Sequence, residues 1–301
     1  MPKVIQPVTF AAHASIDSYV VPVTGNYLIA AAGAQGGDGG AAGGKGALVE
    51  GTFYLRQGEV LYFVVGTQGG RGRAATFGPE HPACGGGGGG GTFVWKATPS
   101  GNMPAWPLLV GAGGGGGGSE PGGDGRAGMD TGAQSETGVP NANGHGGVTN
   151  PCCHFGGGGG AGWLSVGANG PGPIYCHGGA HWAGGPGIFY GEMGGGSGGF
   201  GGGGGGGFLG YAAGGGGGFG GGFGGGQVEN QLNRVRRSGG GSSYNAGLNQ
   251  TNRSGCQEGD GRATITAAAQ PIELHAPPSA DSGTPFAEKA VPSGDAQQGG
   301  A

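Results

Sequence analysis

The chain has 301 residues, of which 90 are glycine, while only 10% are charged and the formal net charge is −4. This balance lacks the basic surface that a nucleic-acid or anionic-membrane partner requires. The first twenty residues contain no apolar core of the kind found in secretory signals, and no later stretch is long and apolar enough to span a membrane. We therefore expect neither nucleic-acid binding nor membrane insertion.

Several segments between the glycines have the β-prone composition or the alternation of apolar and polar residues that predicts strands. In chain order, the predicted strands are Asn26–Ala32, Ala47–Leu55, Glu59–Val65, Thr92–Lys96, Pro107–Val110 and Arg262–Ala268. The short linker Arg56-Gln57-Gly58 predicts a hairpin between the second and the third of them. The expected fold class is mainly β, with little or no α-helix.

Glycine is concentrated in pure runs, whereas flexible linkers mix it with serine or glutamine. The runs are Gly85–Gly91, Gly113–Gly118, Gly156–Gly160, Gly201–Gly207 and Gly214–Gly218. Runs without side chains can adopt polyproline II geometry and approach closely enough for their N–H and C=O groups to bond between neighbours. A seven-residue run would span roughly 22 Å in that geometry, about the length of a strand. The runs therefore predict a bundle of polyglycine II helices.

The expected organisation is one folded domain with two extensions. Residues 1–19 are predicted to form an N-terminal arm, residues 20–269 the glycine-rich domain, and residues 270–301 an extended C-terminal tail. Three longer insertions hold most of the histidine, cysteine and charge outside the strands, and loops on a rigid scaffold commonly carry function. These insertions are Ser119–Phe155, Ser165–Gly196 and Gln227–Cys256.

Two groups of side chains are candidate ligand-binding residues, because tryptophan and arginine dominate binding hot spots. The aromatic group is Trp163, His181 and Trp182, and the basic group is Arg234, Arg236 and Arg237. The basic group would pair with a carboxylate or an anionic glycan. Two alternatives stay open: the rings pack against flat glycine backbone, and the arginines belong to a solvated loop.

The five cysteines are disulfide candidates, and at most two internal disulfides would leave one thiol over. They are Cys84, Cys152, Cys153, Cys176 and Cys256. Zinc-ligand residue types also occur at Cys153, His154, Cys176 and His177, but their spacing matches no zinc pattern. We therefore expect no metal site.

Catalytic motifs are missing from the sequence. No Ser-His-Asp arrangement stands in a nucleophile-elbow context, and no helix carries a metal-ligand motif. The segment Gly39–Gly46 imitates a phosphate-binding loop, but Gly46 stands where serine or threonine would coordinate magnesium. We expect no enzyme activity and no cofactor.

The order of the motifs resembles a known family. A strand is followed by GAQGGDGG and GGKGA, then by LRQGEVLYFVVGTQGG, GGGGGGGTFVWK, PLLVGAGGGGGG, further glycine runs and EGDGRATI. Over about residues 20–268, this order is similar to the extracellular glycine-rich domain of the anaplastic lymphoma kinase and leukocyte tyrosine kinase receptors. The resemblance implies a TNF-like jelly-roll sandwich merged with polyglycine II helices. The receptor function does not carry over, because neither a membrane span nor a kinase accompanies the motifs.

The alternation of glycine runs and loops also resembles, more loosely, the tail-fibre adhesins of T-even phages. The expected function is a structural subunit of a virion or extracellular assembly, such as a phage fibre, decoration or filament protein. It would associate with itself, for example as a trimer, or with other subunits. The alternative is an adhesin that recognises a cell-surface receptor or glycan through loops between glycine helices. A third hypothesis, ice binding, requires a flat face with periodic small or threonine residues. We expect a virion or extracellular location.

Overall fold

Strands form in this chain where alternate residues are apolar, because one face of each strand is buried. The computed structural model describes residues 6–73, 84–129, 144–149, 156–170, 176–187, 189–190, 193–207, 211–228 and 231–268. These residues contain fourteen β-strands and no helix. The strands are β1 (Val8–Ala11), β2 (Ile16–Val20), β3 (Gly25–Ala32), β4 (Gly46–Leu55), β5 (Val60–Val64), β6 (Thr92–Lys96), β7 (Leu109–Gly111), β8 (Phe189–Tyr190), β9 (Met193–Gly194), β10 (Gly226–Val228), β11 (Gln231–Arg236), β12 (Tyr244–Asn245), β13 (Leu248–Gln257) and β14 (Arg262–Ala267).

Ten of these strands form two antiparallel sheets of five strands each. The first sheet has the order β1-β14-β3-β4-β13, and the second has the order β12-β7-β6-β5-β2. The other four strands form the short pairs β8-β9 and β10-β11. The prediction of a mainly β protein is confirmed.

Each of the two sheets buries one of its faces in a shared core. In the first sheet, Tyr27 of β3 stands opposite Phe53 of β4, and both side chains point into this core. Leu61 and Phe63 of β5 enter it from the second sheet. Phe10 of β1 stacks on Phe63, with ring centroids 4.1 Å apart, and so joins the two sheets directly. The apolar alternation seen in the sequence is therefore used for packing sheet on sheet.

Two segments of the predicted N-terminal arm belong to the sheets: β1 and all but the last residue of β2. β1 pairs with β14 at one edge of the first sheet, and β2 pairs with β5 at one edge of the second. Both are edge strands of alternating exposure, so each covers part of the core with one face. The folded unit therefore begins before residue 20. The predicted C-terminal tail, residues 270–301, lies outside the described residues.

The hairpin predicted at Arg56-Gln57-Gly58 is wrong, because β4 and β5 lie in different sheets. The turn instead carries the chain from one sheet to the other. Gly58 has a φ of +83°, which favours glycine, and its N–H donates to the carbonyl of Val21 at 2.9 Å. The two strands diverge because Leu55 and Leu61, on either side of the turn, reach the same core from opposite sheets.

Glycine segments continue directly from the strand ends. Residues 33–37 follow β3, Gly85–Gly91 leads into β6, and residues 112–118 follow β7. At one of these joints the buried hydroxyl of Thr92 donates to the carbonyl of Ala32 at 2.7 Å and accepts from the N–H of Gly66 at 3.1 Å. The pairing of the strands therefore sets where the glycine segments start.

The segment Gly85–Gly91 bonds to its neighbours with a period of three residues. Every third N–H donates to the same neighbouring segment, at N···O distances of 2.8 to 3.0 Å. Gly85, Gly88 and Gly91 donate to Gly207, Gly204 and Gly201, Gly86 and Gly89 donate to Gly117 and Gly114, and Gly87 and Gly90 donate to Gly70 and Thr67. These three neighbours run antiparallel to the segment, because their residue numbers fall as its own rise.

The carbonyl groups of the same segment repeat this period with three other neighbours. Gly85 and Gly88 accept from Gly196 and Gly199, Gly86 and Gly89 from Gly214 and Gly217, and Gly87 and Gly90 from Gly37 and Ala34. The segment therefore has six hydrogen-bonded neighbours, whereas a β-strand has two at most. Gly113–Gly118 follows the same rule, since Gly113 and Gly116 donate to Gly217 and Gly214, and Gly114 and Gly117 donate to Ala34 and Gly37. We call the five pure runs and the segments bonded to them the glycine array.

Close approach in every direction explains why the runs are pure glycine. A Cβ atom at Gly88 would lie 1.9 Å from the carbonyl oxygen of Gly215, and one at Gly204 would lie 2.2 Å from that of Gly158. These neighbours are backbone atoms, which cannot rotate away as a side chain can. At one position beside the runs a side chain takes the place of a backbone partner: the buried hydroxyl of Ser242 accepts the N–H of Gly220 at 2.9 Å.

Substituting Gly88 with alanine tests this packing. We expect Gly88→Ala to destabilise the protein by about 3 kcal/mol or more, because the methyl group displaces backbone that is held on several sides. Gly128→Ala is the matched control: Gly128 is exposed and a Cβ there meets nothing within 4 Å, so the change should stay within about 0.5 kcal/mol. Denaturant unfolding measures both, and equal effects would contradict the packing described.

Candidate functional site

Aromatic side chains cover the outer face of the second sheet. Along β6, Val94 faces the shared core, while Phe93 and Trp95 point to the other side, as strand alternation requires. Tyr62 of β5 lies on this outer side too, with its ring centroid 5.5 Å from that of Trp95. Phe93 is fully buried and Trp95 is only 5% exposed. Another layer of the protein must therefore cover them.

That layer comes from the loops of the glycine array. Trp182 lies parallel to Trp95, with ring centroids 5.2 Å apart and planes 5° apart, and it meets Phe93 edge-on at 5.0 Å. Trp163 meets Trp95 edge-on at 5.9 Å and is itself 2% exposed. Each such ring pair adds roughly 0.5–1.5 kcal/mol beyond the burial of area. This aromatic layer therefore packs between the glycine array and the second sheet and stabilises their association.

Two hydrogen bonds fix Trp163 in this layer. Its indole Nε1 donates to the carbonyl of Ala105 at 3.1 Å, which ties the loop of residues 97–107 to the array. Its own carbonyl accepts from Nε2 of His181 at 3.0 Å. The structure thus brings the predicted group Trp163, His181 and Trp182 together. Trp163 is in the interior, where it packs on the rings of Phe93 and Trp95, whereas the alternative named glycine backbone; His181 and Trp182 are half-buried.

At the edge of the aromatic layer, the side chain of Trp106 is exposed to solvent. Its side chain is 56% exposed, and its ring lies 5.6 Å from those of both Phe219 and Tyr244, at interplanar angles of 21° and 30°. Leu164 is 50% exposed and lies beside the same Phe219. Both side chains are next to Gly144, because each would lie within 3.5 Å of a Cβ atom at that residue. We call the exposed parts of Trp106, Leu164 and Tyr244 the Trp106 surface. All four tryptophans of the chain lie in the aromatic layer or at its rim.

The loop that carries Trp106 is held at both ends and within itself. The N–H of Leu108 donates to the carbonyl of Val94, and the hydroxyl of Thr98 donates to the carbonyl of Asn102 at 2.6 Å. Gly101, with a φ of +73°, closes the turn between them. The Trp106 ring is therefore presented by an ordered loop over two buried or half-buried rings.

The segments that form this surface carry no charge. Residues 97–110, 161–170, 216–222 and 238–247 include no aspartate, glutamate, lysine or arginine. Charged residues adjoin these segments. The N–H of Arg126 donates to the carbonyl of Gly241 at 3.0 Å. Lys96 follows Trp95 on β6 and therefore points to the opposite face, where its Nζ pairs with Glu59 at 2.9 Å. The pKa of Glu59 lies below its usual value: burial acts to raise it, but hydrogen bonds from the Arg56 N–H and Lys96, with the charges of both side chains, outweigh burial. The Trp106 surface is aromatic and neutral.

The predicted basic group lies far from this surface. Arg234 and Arg236 belong to β11, and Arg237 follows it as an exposed residue. β10, the partner of β11, begins directly after Gly225, and the carbonyl of Gly225 accepts the N–H of Gly157. At the Trp106 surface, the carbonyl of Phe219 accepts the N–H of Trp163. Gly157 and Trp163 are near opposite ends of one glycine segment. The two predicted groups therefore lie near opposite ends of this segment and form no common site.

The cysteine and metal candidates are only partly described. Cys84 and Cys176 are buried, Cys256 is exposed on β13, and all three are free thiols. Burial raises the pKa of Cys84, and it raises the pKa of Cys176 to about 12. His177 is exposed. In the part of the chain that is described, no three histidine, cysteine or acidic side chains converge as metal ligands would. The remaining candidates lie outside that part: Cys152, Cys153 and His154.

Sequence reasoning missed Trp106, Leu164 and Tyr244, which lie outside the predicted aromatic group. The available signal was the concentration of all four tryptophans in uncharged stretches of the chain. Trp106 in particular stands between Ala105 and Pro107 in a short loop, away from the long insertions that the sequence pointed to.

Comparison with known proteins adds no functional information. No protein-family model matches this sequence, and a search of curated proteins found no match either. Among the described residues, no helix is long and apolar enough to cross a membrane.

Thiol labelling tests the burial of the cysteines. With a pKa of about 12, Cys176 is a thiolate only about once in ten thousand molecules at pH 8, and burial also keeps reagent away. We expect iodoacetamide at pH 8 to label Cys256 within minutes and to leave Cys84 and Cys176 unmodified until the protein is unfolded in denaturant. Peptide mass mapping assigns each site, and fast labelling of Cys176 in the native protein would contradict the structure.

Proposed function

We propose that the glycine array is a bundle of polyglycine II helices that continues from a jelly-roll sandwich. The support is the period of three in its hydrogen bonds, because polyproline II has three residues per turn. Six neighbours around one segment are what such helices need when each residue points to a different side. The connection from β4 to β5 across the two sheets supports the jelly roll, in which the chain alternates between sheets.

Nuclear magnetic resonance tests the bundle. For the residues of Gly85–Gly91 we expect a φ of about −75° and a ψ of about +145°, the values of polyproline II. We also expect couplings across the hydrogen bonds from Gly85, Gly88 and Gly91 to the carbonyls of Gly207, Gly204 and Gly201. The strand Thr92–Lys96 is an internal control. It should give the extended values of an antiparallel strand, a φ of about −140° and a ψ of about +135°. Extended values in the glycine run as well would overturn the assignment.

We propose further that the protein is a non-enzymatic binding module of the adhesin type. The observation that carries this is the Trp106 ring, more than half exposed although it rests on two other rings in an ordered loop. Tryptophan is enriched among the few residues that supply most of the energy of a binding interface. The bundle and the sandwich then act as the scaffold that holds this surface still.

A second candidate, a subunit of a virion or extracellular assembly, is favoured by the first sheet. On its outer face, Leu28 stands beside Thr266 and Ala30 beside Thr264, and all four side chains are only partly buried. At its edge, β13 is exposed along most of its ten residues. Uncovered faces and long edges are where copies of a chain can associate. This association would leave the Trp106 surface available.

Flow cytometry tests the binding function. The fluorescently labelled full-length protein is added to a panel of bacterial and animal cells. We expect binding to at least one cell type and a loss of at least tenfold for Trp106→Ser, because truncating a hot-spot tryptophan removes a large share of the binding energy. Tyr54→Ser is the matched control, since Tyr54 is 48% exposed on β4 of the first sheet, away from the site.

Equal staining by wild type and Trp106→Ser would contradict the proposal, as would the absence of staining on every cell type. Circular dichroism of both variants establishes that they fold. Light scattering on the same samples determines whether the stained species is a monomer or an assembly, and so separates the two candidate functions.

A further inference from the structure

We propose that the Trp106 surface binds a neutral carbohydrate. This inference rests on the proposed binding function and names the class of ligand that the same surface would take. Three features of the surface lead to it: the shape of the exposed ring, the absence of charge and the size of the apolar area.

The shape fits the flat face of a sugar ring. A pyranose presents several C–H groups on one face and hydroxyl groups around its edge, so it combines an apolar plane with a polar rim. The indole of Trp106 offers a matching plane, and Phe219 and Tyr244, at 5.6 Å, support it from within the protein. Because the loop is already ordered, little conformational entropy is lost when a ligand lies on the ring.

The polar rim also has partners. Asn102, in the Trp106 loop, is exposed and carries an amide with both donors and an acceptor. Ser165 follows Leu164 and is half-buried; its hydroxyl accepts the N–H of Gly146 at 2.9 Å and keeps its own O–H to donate. Hydroxyl groups of a neutral sugar can pair with uncharged donors and acceptors of this kind.

The lack of charge argues against anionic and cationic ligands. A sulfated or sialylated glycan, or a charged peptide, is disfavoured, because the segments that carry Trp106, Leu164, Phe219 and Tyr244 include no charged residue to pair with it. Arg236, on β11, pairs with Gly226, whereas the surface lies at Phe219, near the other end of the same glycine segment.

The size of the surface argues against a stable protein partner. Protein interfaces bury about 1,200–2,000 Å² in total. An aromatic side chain has roughly 150–250 Å² in all, so half-exposed Trp106 and Leu164, even with exposed Met103 and Val166 from the same two loops, offer only a few hundred Å². That area suits two or three sugar units.

Titration calorimetry and saturation-transfer nuclear magnetic resonance test the inference on the full-length protein. The probes are maltohexaose, cellohexaose, laminarihexaose and chitohexaose, with a heparin hexasaccharide as the charged comparison. We expect at least one neutral probe to bind, with affinity reduced roughly tenfold or more in Trp106→Ala, reduced less in Trp106→Phe, and unchanged in Tyr54→Ala. A shift in tryptophan emission on binding should disappear with Trp106.

Each outcome has a definite meaning. Binding of a neutral probe that depends on Trp106 supports the inference. Binding of heparin alone, or of neutral probes equally to wild type and Trp106→Ala, overturns it. If Trp106-dependent staining of cells is found but no neutral probe binds, the binding function stands and the carbohydrate is overturned in favour of a protein ligand. If cells are not stained either, both proposals fail.

Discussion

A backbone without side chains must satisfy its own hydrogen bonds, and the rest of this structure depends on how it does so. Six segments surround Gly85–Gly91 and supply a partner for its N–H and C=O groups in turn. Burying these groups unpaired would cost about 1–3 kcal/mol each. Such mutual satisfaction requires that all segments be present together, because each is a partner to several others. The glycine array therefore forms cooperatively, as a sheet does. Its hydrogen bonds extend in two directions across the segments, whereas those of a sheet extend in one.

The aromatic layer is the consequence of joining this array to an ordinary sheet. The second sheet has side chains on both faces, and its outer face cannot lie directly on glycine backbone without leaving gaps. The rings of Phe93, Trp95, Trp163 and Trp182 fill the space between the two kinds of packing. Trp106 lies at the edge of this aromatic layer. The candidate site therefore continues the aromatic layer. The contacts that hold the glycine array on the second sheet also hold Trp106 in place.

The sequence predicted the buried strands well because their apolar alternation is local. The strand Thr92–Lys96 was placed to the residue, and Asn26–Ala32 begins one residue early in the structure. β13 was missed because its sequence, LNQTNRSGCQ, lies exposed at an edge and has no apolar face. The partners of each glycine run could not be predicted, since all runs are chemically alike and only the strands at their ends fix the register. Trp106 was missed for a related reason: its stacking on Phe219 joins residues 113 positions apart.

The composition of the array has a consequence for how stability varies with temperature. The heat capacity increment of unfolding rises with the apolar area exposed and falls with the polar area exposed. Much of this protein's interior is peptide backbone, as the glycine-to-glycine hydrogen bonds of the array make plain. Its increment per residue should therefore lie below the roughly 12–15 cal/mol/K typical of globular proteins. A small increment flattens the stability curve, so the fold would retain its stability over a wider span of temperature, towards the cold as well as the warm side.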